Sequence, residues 1–125
     1  MTGSVANRRA AQRRGVEAEN WVSSELVEAG WDVLARNWRG QGGEIDLVVR
    51  RGGVLRFVEV KWRGNHEDGL QSITPDKQRR LGLAATEFLD VTDVVVDEAA
   101  FLVVLVTQRG EHLHATWHDD AFEVS

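Results

Sequence analysis

Residues 43–63 read Gly43-Glu44-Ile45-Asp46-Leu47-Val48-Val49-Arg50-Arg51-Gly52-Gly53-Val54-Leu55-Arg56-Phe57-Val58-Glu59-Val60-Lys61-Trp62-Arg63. Two runs rich in Val, Leu, Ile and Phe flank Arg51-Gly52-Gly53, a pattern that predicts a β-hairpin. In the second run Glu59 and Lys61 stand two residues apart and so share one face of their strand. Each lies between residues suited to a core strand, where a charge costs free energy unless it is paired or bound to a metal. A register pairing Asp46 with Phe57 sets Glu44 opposite Glu59 and gathers Glu44, Asp46, Glu59 and Lys61 on one face. Asp46 is then diagonal to Glu59, roughly 7–8 Å away at Cα, close enough for both carboxylates to grip one cation. A slip of one residue would put them on opposite faces.

Upstream of the hairpin, residues 31–38 alternate as a further strand, and a helix before it ends at Gly30. The apolar stripe of that helix is Val22, Leu26 and Ala29. On a helical wheel Glu19 lies about 20° from Leu26 and so faces the core side, whereas Glu17 and Glu28 point to solvent. Downstream, Thr74-Pro75-Asp76 reads as a helix start, with Thr as N-cap and Pro at the first helical position. This second helix buries Leu81, Ala84, Ala85 and Phe88, and Lys77 sits at the N-terminal end of that stripe. Residues 101–107 and 112–117 flank Gln108-Arg109-Gly110 and predict a second hairpin, buried on its first strand. The order is α-β-β-β-α-β-β, an α/β fold with a mixed central sheet flanked by helices. The 125 residues fit one domain, residues 15–125, preceded by a basic N-terminal extension over residues 1–14 that carries Arg8, Arg9, Arg13 and Arg14.

The net charge of −5 argues against a general polyanion binder, but the distribution argues for one. Residues 1–82 hold 14 basic and 11 acidic groups, and residues 83–125 hold Arg109 against 9 acidic groups. One face is thus suited to a polyanion, and the acidic part keeps the protein soluble. No cysteine is present, which excludes disulfide scaffolds, zinc ribbons and thiol nucleophiles. The longest apolar run, Ala99 to Val106, is too short to cross a bilayer, and no secretory pattern opens the chain. A cytoplasmic protein with no membrane partner is expected.

Acidic ligands without His or Cys favour Mg²⁺ or Mn²⁺ over zinc. Such an ion beside a strand lysine suits phosphodiester hydrolysis, with Lys61 orienting water or stabilising the transition state. The basic N-terminal half would hold the nucleic-acid backbone through its phosphates. Candidate nucleic-acid contacts are Arg63, Lys77, Arg79 and Arg80; Arg51 and Arg56 read, with Arg79 and Arg80, as a solvated basic face that a duplex would meet. Glu19 and Lys77 have an alternative reading as a half-buried ion pair. Glu44 serves either a metal or a nearby arginine. His66 reads as a solvated loop residue that could approach substrate, His112 and His114 share a strand face, and Trp38 and Trp62 read as packing residues.

The spacing from Asp46 to Glu59-Val60-Lys61 resembles the PD-(D/E)XK nuclease pattern, with Ile45 in place of the usual Pro. Gly15 and Glu19, Gly30-Trp31, Arg36-Asn37, Gly43 to Leu47, Phe57 to Lys61, and Lys77 to Leu81 together resemble the YraN family, small bacterial endonuclease-like proteins related in fold to Holliday-junction resolvases. The similarity runs over roughly residues 15–122 and ends in His118-Asp119-Asp120-Ala121-Phe122. It implies a restriction-endonuclease-like αβββαβ core, metal ligands Glu19, Asp46 and Glu59, catalytic residues Asp46, Glu59 and Lys61, a supporting role for Lys77, and a homodimer. The chain departs from the family at Ala100-Phe101-Leu102, where an Arg-Phe-Asp group is usual. The function expected is a metal-dependent nuclease acting on branched or processed DNA. The alternatives are a non-catalytic nucleic-acid-binding module of the same fold and a protein-interaction subunit.

Overall fold

The computed structural model describes residues 2–64 and 73–122. The elements follow the expected order: α1 (Thr2–Glu28), β1 (Asp32–Arg39), β2 (Glu44–Arg51), β3 (Val54–Gly64), α2 (Pro75–Val91), β4 (Glu98–Arg109) and β5 (His112–Asp119). They form one sheet of order β1-β2-β3-β4-β5, antiparallel except for the parallel β3–β4 pair that α2 connects. This is the mixed sheet and αβββαβ order expected of a restriction-endonuclease-like core. Helix α1 begins well upstream of the apolar stripe, so the basic residues of the extension lie on its first turns rather than ahead of it.

The two helices cover opposite faces. On one face Ala18, Val22 and Leu26 of α1 pack with Leu47, Val49, Val58, Val60, Leu102, Val104 and Val106. On the other, Leu81, Ala84, Ala85 and Phe88 of α2 pack with Ile45, Val48, Leu55, Phe57, Phe101, Val103 and Leu105. Strand β4 therefore alternates between two cores and reads as a continuous apolar run, as a parallel-paired strand buried on both faces must. Phe88 is the hub of the α2 side, edge-on to Trp38 at 5.4 Å and to Phe57 at 5.9 Å. Phe122 stacks on Phe101 at 4.3 Å, and Ala121 N–H donates to the Phe101 carbonyl, so the described chain end folds back on β4.

Three local expectations need correction. Ala29 is exposed, and Ala18 completes the α1 stripe instead: the helix closes at Glu28, Gly30 takes a left-handed φ of 95°, and Trp31 N–H bonds back to the Leu26 carbonyl, lifting Ala29 off the sheet. The hairpin register pairs Phe57 with Val48 and Leu47 with Val58, two residues away from the pairing expected. A two-residue turn, Gly52-Gly53, closed by the Arg51–Val54 pair, sets it, with Gly52 at a φ of 62°. A displacement of two by itself preserves the face, but Ile45 packs in the α2 core and Leu47 in the α1 core, so Glu44, Asp46, Glu59 and Lys61 do not share one face as expected. Finally, Arg56 belongs to no solvated face. It is 8% exposed, with Nε 2.7 Å from Asp119 Oδ1 and Nη2 3.0 Å from Glu98 Oε1, and it joins β3 to both ends of the β4–β5 hairpin. Those carboxylates raise its pKa against the effect of burial.

Candidate functional site

Alternation along β2 breaks at Asp46. Ile45 and Val48 pack towards α2, whereas Leu47 and Val49 pack towards α1, so one residue between Ile45 and Leu47 does not turn the chain over. In β1, Arg36 pairs with Leu47 and Trp38 with Ile45, and between them Asn37 adopts a left-handed φ of 49°. Asn is one of the few non-glycine residues at ease in that conformation. Asp46 sits at this break, with a carboxylate that accepts the Val60 N–H at 2.8 Å instead of facing one core. It thereby meets groups from both helices.

On the α1 side the Glu19 carboxyl group comes within hydrogen-bonding reach of Asp46. Burial raises the Glu19 pKa, and the charges of Glu44 and Glu59 add to the rise, opposed by the Asp46 bond and by Arg36. Asp46 is pushed up to about 8 by burial first and by the Glu59 charge second, with the Val60 N–H and Lys77 acting in the other direction. On the α2 side Glu59 is 4% exposed, with Oε1 3.2 Å from Lys61 Nζ and 3.7 Å from Lys77 Nζ. Its second oxygen, Oε2, is buried with no hydrogen-bond partner among the described residues. Lys77 forms its half-buried ion pair with Glu59.

The geometry brings together Glu19, Asp46, Glu59, Lys61 and Lys77. It holds them by docking the segment before β2 onto α2. Glu87 accepts the N–H groups of Gln41 and Gly42 at 2.6 and 3.0 Å. The glycines allow this closeness, since a Cβ at Gly42 would lie 2.5 Å from Leu83 Cβ and one at Gly43 3.0 Å from the Arg80 carbonyl oxygen.

The family model for uncharacterised protein family UPF0102 matches residues 18–106, the stretch that holds all five of these residues. The chain belongs to this family. The UPF0102 family is the YraN family expected from the motifs. A UPF0102 protein of Rhodopseudomonas palustris is 43% identical over 119 residues, covering 94% of this chain and 92% of its own. One of a Synechococcus species is 42% identical over 109 residues, covering 84% and 83%. One of Gloeobacter violaceus is 55% identical over 80 residues, covering 62% of this chain and 64% of its own length.

Around the UPF0102 cluster the other candidates are placed less tightly. Glu44 is partly exposed and lies 3.6 Å from Arg39, and its charge also acts on Glu19. Arg79 and Arg80 are more than half exposed and share Asp76, at 2.9 and 3.2 Å; they hold its pKa below the ordinary carboxylate range. Arg63 donates to the Trp62 carbonyl at 3.4 Å among its contacts. Arg51 lies over the Trp31 ring at 4.5 Å and donates to the Ala29 carbonyl, tying down the end of α1. His112 and His114 are exposed on β5, and His66 lies outside the described residues. Sequence reasoning missed the Arg36 and Asn37 contributions to the cluster; an Asn inside an otherwise regular strand was the available signal. No helix among the described residues is long and apolar enough to cross a membrane.

The donor set is all oxygen; Glu59 Oε2 is buried with no hydrogen-bond partner among the described residues, and burial beside Glu59 raises the Asp46 pKa, both of which a cation would relieve. That chemistry fits Mg²⁺ or Mn²⁺ better than zinc. Among the described residues no three acidic or histidine side chains already converge on one point, and Glu59 turns to Lys61 and Lys77.

Proposed function

We propose that this UPF0102 chain is a metal-dependent nuclease that hydrolyses phosphodiester bonds in DNA, with branched or processed structures as substrate. The observation that carries this reading is the cluster itself: three carboxylates from α1, β2 and β3, two of them with raised pKa, beside two half-buried lysines. Asp46 and Glu59, with Glu19, would hold Mg²⁺ or Mn²⁺, whose charge would offset the burial and the Glu59 charge that raise the Asp46 pKa. A divalent ion there supplies Lewis acidity and a more acidic bound water. Lys61, 3.2 Å from Glu59, would orient the attacking water and offset charge on the phosphoryl oxygens. Lys77 keeps the Glu59 carboxylate compensated and offers a second cation to a phosphate. Arg79, Arg80 and Arg63 would add backbone contacts that orient the strand without reading its sequence.

The test is to titrate Mg²⁺ or Mn²⁺ against the protein and labelled linear, flapped and four-way DNA, scoring cleavage and binding together. Asp46→Ala and Lys61→Ala variants, confirmed as folded, run in parallel. Cleavage that needs the metal and disappears in both variants supports the reading. A second reading, a non-catalytic nucleic-acid-binding module, is favoured by one observation: Glu59 is already neutralised by two lysines, and no three ligands converge among the described residues. Wild type that binds these DNAs and cuts none of them would make that second reading the better one.

A further inference from the structure

Helix α1 is 27 residues long, about 40 Å at 1.5 Å per residue, and among its described side chains the buried ones are Ala18, Val22, Ser23 and Leu26. Its core-facing line runs Ala18, Val22, Leu26, and the same line continued towards the N-terminus passes through Gly15 and Arg8. Nothing lies within 4 Å of where a Gly15 Cβ would be, and Arg8 is exposed. The first turns of α1 therefore overhang the sheet. Residues 2–16 contain Arg8, Arg9, Arg13 and Arg14 and no acidic residue. All four arginines are exposed, and among the described residues none has an ion-pair or hydrogen-bond partner. By contrast, Arg36, Arg39, Arg51, Arg56, Arg79 and Arg80 of the body are each engaged.

Holding four unpartnered guanidinium groups on one rod is unfavourable through mutual repulsion unless a polyanion neutralises them. Arg9 and Arg13, one helical turn apart, flank an open groove of about 760 Å³ together with Gln12, Val16 and Glu17. The rod is also the element that carries Glu19. Along the helix axis Arg13 and Arg8 stand about 9 and 16 Å from Glu19, at a fixed distance because no break interrupts α1. A bilayer surface is a poorer match, since residues 8–17 contain no Leu, Ile, Phe or Trp to enter the acyl region.

We propose that the overhanging start of α1 is a binding site for the sugar–phosphate backbone of a nucleic acid, through Arg8, Arg9, Arg13 and Arg14. Through α1 it sets where the bound strand lies relative to the Glu19–Asp46–Glu59 cluster. This rests on the nucleic-acid reading above but not on catalysis. It is a site separate from the first turn of α2, and it contributes affinity rather than chemistry.

The experiment measures binding of labelled duplex, four-way and single-stranded DNA and of duplex RNA by anisotropy in EDTA, across a series of salt concentrations. Three proteins are compared: wild type, the fourfold Arg→Ala variant and the fourfold Arg→Lys variant. Alanine favours helix at least as well as arginine, and all four positions are exposed, so an unchanged circular dichroism spectrum and melting midpoint are expected. Each phosphate contact contributes about 0.9 to the slope of log K against log salt on duplex DNA, so the alanine variant should lose about 3–4 from that slope. It should also lose at least tenfold in affinity near 0.1 M salt. The lysine variant should keep most of both, because a phosphate contact needs the charge more than the fork. The four ligands show whether the arm reads duplex, junction or strand. Wild type that binds while the alanine variant keeps its slope would overturn the arm and leave the nucleic-acid reading standing. Wild type that binds none of the four ligands would overturn both. Capture of wild type, but not the alanine variant, on anionic vesicles without nucleic-acid binding would assign the arm to a membrane surface instead.

Discussion

Replacing Asp46 with asparagine separates the electrostatic cost of the cluster from its packing. Asparagine keeps an oxygen for the Val60 N–H at 2.8 Å and offers an NH₂ group to Glu19, so the hydrogen bonds survive while the ionisable group goes. In the wild type Asp46 is raised from an ordinary value of 3.8 to about 8, chiefly by burial and by Glu59. The folded state thus holds this proton more tightly than the unfolded chain. The stability it contributes is fully present below about pH 4 and is lost progressively as pH rises through about 8. The whole displacement has a ceiling of about 6 kcal/mol at 1.36 kcal/mol per pH unit. Because Asp46 is partly exposed and its titration depends on the charge of Glu19, about a third of that, ~2 kcal/mol, is the figure to expect. At about 4 °C per kcal/mol for a chain of this size, Asp46→Asn should melt about 8 °C above wild type at pH 9 in EDTA, with the gap closing towards pH 4.5. Thermal unfolding of both proteins from pH 4.5 to 9 reads this directly. A gap that does not change with pH, or a variant that is less stable throughout, would refute the description of Asp46 as a carboxyl group forced to keep its proton.

Mg²⁺ at ten times its dissociation constant should stabilise wild type by about 1.4 kcal/mol, more readily above pH 8 than at pH 6, and EDTA should reverse it; the same titration of Asp46→Asn should show little change. Gly42→Ala should cost about 1–3 kcal/mol in denaturant unfolding, because the new methyl would overlap Leu83, whereas Gly15→Ala, with open space around it in a helix, should add about 0.5–1 kcal/mol. Arg56→Met should cost about 2–3 kcal/mol, since it leaves Asp119 and Glu98 without their shared partner and removes a buried guanidinium that closes the end of three strands; a loss below 0.5 kcal/mol in urea melts would show that the network contributes nothing net.

Most of the architecture was legible in local signals. The Thr74 cap, whose hydroxyl accepts the Lys77 N–H, and Pro75 placed the start of α2, and the uninterrupted Phe101 to Val106 run announced a strand covered on both faces. The five cluster residues were also visible, because charge at a core-facing position is costly and therefore conspicuous. Register was not, since it depends on how many residues the Gly52-Gly53 turn uses, and a difference of two leaves the pattern of faces unchanged. Arg56 was misread because a strand arginine facing solvent and one facing two distant carboxylates look alike until β5 is laid beside β4. Its partners Glu98 and Asp119 are 42 and 63 residues away. The break in alternation at Asp46 escaped for a similar reason, as its cause lies in the neighbouring strand.

The left-handed turn at Asn37 in β1, beside that break, has an effect outside the cluster. Strand β1 forms one border of the sheet, and its outer row of N–H and C=O groups is a template on which a strand from another molecule could grow. A left-handed residue near its end, together with the irregular step between Val33 and Ala35, spoils the straight, evenly spaced row that such growth requires. The same kink that lets one carboxyl group reach both helices thus discourages aggregation along that border. A substitution that straightened β1 would threaten solubility and the cluster at once.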